Sequence, residues 1–128
     1  EALLGDLCAL ADIGSLAKGA RMQSPITLVV INNDGGGIFE FLPQANPQRV
    51  DPAVFEKLIV APHGQSIGPV AAAFGIESAT VTSLDELAAL VAAPPTTTRM
   101  VEIHTKRTDG PEIRVAMIAS VAAAAGLG

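Results

Sequence analysis

The chain contains 128 residues, of which 49% are apolar and 16% are charged, and its formal net charge is −5. A chain of this length and composition folds around a hydrophobic core, which excludes an intrinsically disordered protein. The acidic balance, with no basic run longer than Lys106-Arg107, excludes a surface that binds nucleic acid or anionic lipid.

The cysteine content, the length of the apolar runs and the first residues of the chain bear on its compartment and on whether it is a whole domain. The single cysteine, Cys8, excludes an internal disulfide and favours a reducing compartment. We therefore predict a cytoplasmic protein, or a plastid protein in a photosynthetic eukaryote. No apolar run approaches the roughly 18 residues of a membrane-spanning helix. The sequence begins without methionine, in what resembles the tail of a strand, and we interpret this as a domain truncated at its N-terminus.

The apolar pattern predicts strands and helices in alternation. Residues 26–31 form a continuous apolar and β-branched run, typical of a strand buried on both faces of a parallel sheet. Asp51-Pro52 and the pair Ser83 and Glu86 mark helix starts, because Asp and Ser cap helices and Pro fits the first helical position. In chain order we predict a strand at 2–4, a helix at 7–22, a strand at 26–31, a single turn at 38–41, an irregular stretch at 42–50, helices at 52–58 and 67–74, a strand at 78–81, a helix at 84–91, a strand at 99–104 and a helix at 112–124.

This alternation of elements predicts the fold class. Strands that follow one another through crossover helices pair in parallel, and the helices cover the sheet. We predict one α/β domain over residues 1–128, a three-layer structure in which a parallel sheet carries helices on both faces.

Two of the predicted strands end in polar, glycine-containing segments. Gly5-Asp6 follows the first strand, and residues 32–37, Asn-Asn-Asp-Gly-Gly-Gly, follow the second. Ligands of open parallel sheets bind beyond the carboxyl ends of the strands, so neighbouring strands would bring both segments to one crevice. Asp6, Asn33 and a carbonyl turned inward by the following glycine would offer hard oxygen donors of low total charge, which suit Mg²⁺.

The same crevice suits a diphosphate. The backbone N–H groups of Leu7 and Cys8 lie at a predicted helix start, where unsatisfied amides and the helix dipole favour an anion. Simpler interpretations stay open at this point. An Asp before a helix is usually an N-cap, and an Asn-Asp-Gly run is usually a plain turn.

Four other polar residues are open to more than one interpretation. His63, in Pro62-His63-Gly64, is either a structural turn residue or a proton shuttle. Cys8 has no basic residue nearby in sequence, so we interpret it as a small buried hydrophobic residue rather than a nucleophile. The sequence does not decide the roles of His104 and Glu40.

The residues at the two strand ends resemble a known motif. Gly-Asp at one strand end and Asn-Asn about 27 residues later anchor the diphosphate in thiamine-diphosphate-dependent enzymes, and Gly5-Asp6 with Asn32-Asn33 matches this motif. Longer segments are similar to the C-terminal, thiamine-diphosphate-binding domain of the MenD family, the 2-succinyl-5-enolpyruvyl-6-hydroxy-3-cyclohexene-1-carboxylate synthases. The segments are GDLCALADIGSL, VVINNDGGGIFEFLPQ, FEKLIVAPHG and TTTRMVEIHTKR, and the similarity is weakest over 66–96.

The resemblance implies which residues hold the cofactors. Asp6, the Asn33 side chain and the Gly35 carbonyl would hold Mg²⁺, with Mn²⁺ as the alternative ion. The amides of Leu7 and Cys8 would contact the diphosphate of thiamine diphosphate. Cys8 stands where relatives often carry a small hydroxyl residue, so only its backbone is carried over.

The glycine-rich segment would complete the cofactor pocket. Gly36 would let the backbone approach the cofactor closely, and Ile38 and Phe39 would form an apolar wall near the thiazolium ring. This Gly-Gly-Gly-Ile-Phe continuation, followed by Leu42-Pro43, favours the MenD family over other thiamine enzymes such as acetolactate synthase.

The resemblance also implies an activity and partners. MenD-type synthases decarboxylate 2-oxoglutarate on the cofactor and add the succinyl unit to isochorismate, in menaquinone and phylloquinone biosynthesis. It implies a homodimer or homotetramer in which the pyrimidine-binding domain of another subunit supplies the activating glutamate. No catalytic residue is therefore assigned to this chain, which alone is expected to be inactive. Acetolactate synthase and a non-catalytic domain that retains the fold are the alternatives.

Overall fold

The structure, a computed structural model, describes residues 1–126, so the last two positions of the predicted domain 1–128 lie outside the described residues. Two units can be distinguished. The first comprises residues 1–34 and 63–105, and the second comprises residues 35–62 and the described residues from 106 onward. All strands of the sheet described below belong to the first unit.

The order of strands and helices confirms the predicted alternation. The strand predicted at 99–104 has those bounds, and the other predicted strands are confirmed to within one residue at each end. In chain order the elements are β1 Ala2–Gly5, α1 Asp6–Ala11, α2 Leu16–Gly19, β2 Thr27–Asn32, α3 Pro52–Phe55, α4 Ile67–Ala73, β3 Glu77–Val81, α5 Leu84–Ala92, β4 Arg99–His104 and α6 Gly110–Ala124.

The four strands form one parallel sheet in the order β1-β2-β4-β3. At the carboxyl edge, Gly5 of β1 lies opposite Ile31 of β2, and Asn32 of β2 lies opposite His104 of β4. The first two predicted strands are therefore neighbours. Their polar ends meet at the edge of the sheet where ligands of this fold class bind.

Helices cover both faces of the sheet, as predicted for the three-layer fold. Side chains from β2 and β4 on one face pack against α1 and α4 in a single apolar cluster. Its buried members are Ala9, Leu16, Leu28, Val30, Ile67, Ala71, Ile76 and Met100. On the opposite face, the Arg99 guanidinium donates to Thr27 Oγ1 and to the carbonyl oxygens of Leu90 and Ala93 in and after α5, because neighbouring residues of a strand face opposite sides.

The helix predicted at 7–22 is interrupted, and here the prediction was wrong. The carbonyl oxygen of Asp12 accepts hydrogen bonds from both the N–H and the hydroxyl of Ser15. These bonds compete with the continuing helical ladder. The chain therefore passes through a 3₁₀ turn at Ile13–Ser15, and two short helices replace one long helix.

Both predicted helix caps are confirmed. The Asp51 carboxylate accepts the N–H groups of Ala53 and Val54 at the start of α3, and the Ser83 hydroxyl accepts the N–H of Glu86 at the start of α5. The reciprocal bond differs from a standard capping box, since the Glu86 carboxylate accepts the N–H of Thr82.

The second unit contains α3, which continues as a π-helical turn at Glu56–Val60, and α6. Within it, Arg107 binds the carboxylates of Glu40 and Glu56 at 3.2 and 2.6 Å, which gives Glu40 a structural partner. The guanidinium of Arg114 lies 4.5 Å from the centre of the Phe41 ring. No helix among the described residues has the length and apolar character that crossing a membrane requires.

Candidate metal- and diphosphate-binding site

Asp6 lies where β1 ends and α1 begins, and its side chain is buried. The N-cap of α1 is Gly5, and no side chain caps this helix. The simpler interpretation of Asp6 as an N-cap is therefore wrong. Instead, Asp6 Oδ1 accepts the N–H of Leu7 at 2.8 Å, which orients the carboxylate at the strand end.

His63 contacts the other oxygen of this carboxylate. The distance from His63 Nε2 to Asp6 Oδ2 is 3.1 Å, and both side chains are largely shielded from solvent. His63 Nδ1 accepts the N–H of Gln65 at 3.0 Å. Because Nδ1 is an acceptor, these hydrogen bonds assign the ring proton to Nε2, which donates it to Asp6.

The loop after β2 is hydrogen-bonded to the backbone of His63 and Gly64. Asn32 Oδ1 accepts the N–H of Asp34, which forms an Asx turn, and Asp34 has a φ of +61°. Asp34 Oδ1 in turn accepts the backbone N–H groups of His63 and Gly64 at 3.0 and 2.7 Å. The segment is thus a turn, as in the simpler interpretation, and it also anchors a segment 29 residues further along the chain.

A buried glutamate, Glu102, connects Asn32 to the start of α4 through hydrogen bonds. Glu102 of β4 is fully buried, and it accepts hydrogen bonds from Asn32 Nδ2 at 2.7 Å and from the N–H groups of Ile67 and Gly68 at the start of α4. Burial raises the pKa of Glu102, but these donors and the nearby His104 together lower that pKa below its usual range. Glu102 is therefore a carboxylate that fixes both Asn32 and the start of α4.

The other predicted residues of the first unit are placed as follows. Asn33 is half-buried between Asn32 and Asp34. The Leu7 amide is bonded to Asp6, so a diphosphate there would share that N–H. Cys8 is exposed, so its interpretation as a buried hydrophobic residue was wrong.

The remaining predicted residues belong to the second unit. Gly36 donates its N–H to the carbonyl of Val60 at 2.8 Å, and the Phe39 ring packs so closely on Gly36 that a Cβ there would lie 2.4 Å from the ring. Ile38 exposes 72% of its surface. Gly36 therefore admits close packing of an aromatic side chain, and Ile38 offers apolar surface.

Replacing Gly35 with alanine should disrupt the second unit. Gly35 has a φ of +123°, which L-residues rarely adopt, and an added Cβ would lie 2.7 Å from the carbonyl oxygen of Val60. We expect Gly35→Ala to lower the free energy of unfolding by about 1–3 kcal/mol, measured by urea unfolding. Gly14→Ala is the matched control, since no atom lies within 4 Å of a Cβ at Gly14. Equal stability of the two variants would contradict the assigned backbone conformation.

The donor set at these positions fits a hard cation. In the first unit it consists of the Asp6 carboxylate and the Asn33 amide oxygen, both oxygen ligands, with one negative charge in total; the Gly35 carbonyl stays a prediction from the resemblance. Among residues 1–126, no cluster of three or more His, Cys, Asp or Glu side chains forms a metal site. The predicted set is of a different kind, because only one of its members is such a side chain.

Comparison with protein families identifies the domain. The sequence matches the family described as thiamine pyrophosphate enzyme, C-terminal TPP binding domain, over residues 2–105. The chain belongs to this family. A protein from Mycobacterium smegmatis, assigned as thiamin diphosphate-dependent, has a similar structure, with a TM-score of 0.56 and 24% identity over 81% of this chain and 17% of that one. This similarity supports the fold of a TPP-binding domain.

The curated relatives agree with the resemblance read from the sequence. The 2-succinyl-5-enolpyruvyl-6-hydroxy-3-cyclohexene-1-carboxylate synthase of Rhodococcus erythropolis is 38% identical over 94% of this chain. The synthase of the same name from Kineococcus radiotolerans is 39% identical over 96%. The chain spans 22% of the length of each relative. The predicted similarity to the TPP-binding domain of these synthases is confirmed.

Sequence reasoning named His63 but missed its contact with Asp6, and it missed Glu102 altogether. His63 lies 57 residues from Asp6, and nothing local in a Pro-His-Gly turn indicates which strand end it contacts. Glu102 left a signal that could have been used. A carboxylate in the otherwise apolar segment Met-Val-Glu-Ile needs buried partners, because an unpaired buried charge is strongly unfavourable.

Proposed function

We propose that the chain is the cofactor-binding part of a synthase that depends on thiamine diphosphate and Mg²⁺, decarboxylates 2-oxoglutarate and adds the succinyl unit to isochorismate. This reaction belongs to menaquinone and phylloquinone biosynthesis. The proposal is carried by the identity of 38–39% to synthases of this name over almost the whole chain. We further propose a cytoplasmic homodimer or homotetramer in which another subunit supplies the pyrimidine-binding domain.

The residues of the first unit have defined tasks in this proposal. Thiamine diphosphate, when bound, supplies the centre at which a 2-oxo acid loses carbon dioxide. The buried Asp6 carboxylate, held by the Leu7 N–H, would bind Mg²⁺ together with Asn33. The amides of Leu7 and Cys8 would contact the diphosphate, which lets an acidic chain bind an anion without a basic patch.

The residues of the second unit are assigned by the resemblance. The Gly35 carbonyl is the proposed third protein ligand of Mg²⁺, with Mn²⁺ as the alternative ion. Gly36 would allow close approach of the cofactor, and the exposed Ile38 with Phe39 would form its apolar wall. An apolar wall excludes water and so strengthens electrostatic interactions at the reacting atoms.

Calorimetry tests the cofactor part of this proposal. The open reading frame that contains the chain is expressed in full, and thiamine diphosphate is titrated with Mg²⁺ present and with the metal removed by a chelator. We expect binding with Mg²⁺ and none without it, because the cation that Asp6 and Asn33 would hold would neutralise the charge of the diphosphate beside the Asp6 carboxylate. Binding of equal affinity without any divalent cation would contradict the metal assignment.

Turnover separates the proposed reaction from its alternatives. We expect the same protein to consume 2-oxoglutarate only when isochorismate is present as acceptor. Formation of acetolactate from pyruvate alone would favour an acetolactate synthase. Cofactor binding without turnover of either substrate set would favour a non-catalytic domain that retains the fold.

A further inference from the structure

His63 contacts the proposed metal ligand, although neither the sequence motif nor the proposed function assigns it a role. Its Nε2 lies 3.1 Å from Asp6 Oδ2, and the side chains retain only 12% and 5% of their exposure. The Leu7 N–H binds the second carboxylate oxygen at 2.8 Å. Each oxygen of Asp6 is therefore contacted by a group that can donate a hydrogen bond and orient it.

The ring that makes this contact is itself held in place. The His63 backbone N–H is bound by Asp34, and the Gln65 N–H donates to ring Nδ1. The segment that contains His63 leads into α4, and the buried Glu102 accepts the first two N–H groups of that helix. Two carboxylates from two strand ends thus anchor the short segment 63–66, and the only ring atom left to face Asp6 is Nε2.

We propose that His63 is a positioning residue that orients the Asp6 carboxylate for a divalent cation. The inference rests on the proposed function, which makes Asp6 a metal ligand. Groups that donate hydrogen bonds to a ligating carboxylate fix its orientation, and their loss typically lowers metal affinity by about 10–100-fold. The alternative is that His63 occupies the metal position and moves away when the ion binds. A ring held both at Nδ1 and through its backbone N–H suits the positioning role better.

Two polar substitutions separate positioning from structural support. In His63→Gln the amide nitrogen reaches the place of Nε2, so it can donate to Asp6. In His63→Asn the shorter amide reaches only the place of Nδ1, so it keeps the bond with Gln65 and loses the one with Asp6. A purely structural role for His63 would spare the asparagine variant, and positioning of Asp6 would spare the glutamine variant.

The measurement is the affinity for Mn²⁺, determined by electron paramagnetic resonance at saturating thiamine diphosphate. It uses the protein encoded by the whole open reading frame that contains the chain. We expect His63→Asn to bind Mn²⁺ about 10-fold more weakly and His63→Gln to stay within about threefold of the unsubstituted protein. His104→Gln is the control for loss of a histidine, since His104 is half-exposed and contacts Glu102 rather than Asp6. Thermal unfolding without metal accompanies each titration, so that affinities refer to folded protein.

Each other outcome is decisive. Unchanged or tighter Mn²⁺ binding by His63→Asn would overturn the inference, because the ring would then be dispensable or would compete with the ion. A His63→Gln protein that unfolds more easily and binds Mn²⁺ weakly, while His63→Asn folds and binds Mn²⁺ like the unsubstituted protein, would assign His63 to structural support through its bond with Gln65. If the unsubstituted protein binds no Mn²⁺ with thiamine diphosphate, the proposed function itself fails, and the role of His63 fails with it.

Discussion

Replacing Asp6 with asparagine is expected to weaken Mg²⁺-dependent binding of thiamine diphosphate by at least about 100-fold, or about 2.7 kcal/mol. Asparagine has the shape of aspartate, and its oxygen can still accept the Leu7 N–H that Asp6 Oδ1 accepts. It removes the negative charge, however, and Asp6 supplies the only carboxylate in the proposed ligand set. The loss therefore reports on the charge of the ligand together with its hydrogen bond from His63 Nε2, which an amide nitrogen in the place of Oδ2 cannot accept.

Calorimetry on the fully expressed open reading frame, with and without Mg²⁺, measures this effect. Asp12→Asn is the matched control, because Asp12 directly follows α1 and is exposed. An Asp6→Asn protein that binds the cofactor with an affinity within a few fold of the control would remove Asp6 from the metal site. Asn33→Ala should give a loss in the same direction, since it removes the proposed amide ligand.

The sequence was sufficient for features that neighbouring residues determine. The strand at residues 99–104, the cap at Asp51 and the cap at Ser83 depend on apolar runs and on side chains a few residues away. The joint position of Asp6 and Asn33 at strand ends followed from the order of elements, because neighbouring parallel strands end on one side of a sheet.

The sequence was insufficient where distant residues or competing local bonds decide. The predicted long first helix failed at Ser15, whose hydroxyl and N–H both bind the Asp12 carbonyl. His63 contacts Asp6 because its own segment, residues 63–66, is fixed at both ends. Asp34 accepts the His63 N–H, and Glu102 accepts the N–H of Ile67 at the start of α4. Such a contact depends on tertiary structure, and no periodicity or turn signal carries it.

Replacing Glu102 with alanine is expected to lower the free energy of unfolding by about 3–5 kcal/mol, because buried donors left without an acceptor cost about 1–3 kcal/mol each. The carboxylate is fully buried and accepts from Asn32 Nδ2 and the N–H groups of Ile67 and Gly68. Alanine leaves these donors without their acceptor in a site that water does not reach. Urea unfolding measures the loss, and faster hydrogen exchange at the Ile67 and Gly68 amides would locate it at the start of α4.

The isosteric change Glu102→Gln isolates the charge through its pH dependence. The folded protein lowers the pKa of Glu102, so the ionised carboxylate stabilises the fold above the unfolded-state pKa of about 4.3. This stability is lost as the pH falls through the lower pKa of the folded state. The unfolding free energies of the unsubstituted protein and Glu102→Gln should therefore differ at pH 7 and converge in acid. Glu77→Gln, at an exposed position on the neighbouring strand β3, is the control, and its unfolding free energy should differ from that of the unsubstituted protein by the same amount at pH 7 and in acid. If the difference for Glu102→Gln is also independent of pH, packing rather than charge holds Asn32 and α4.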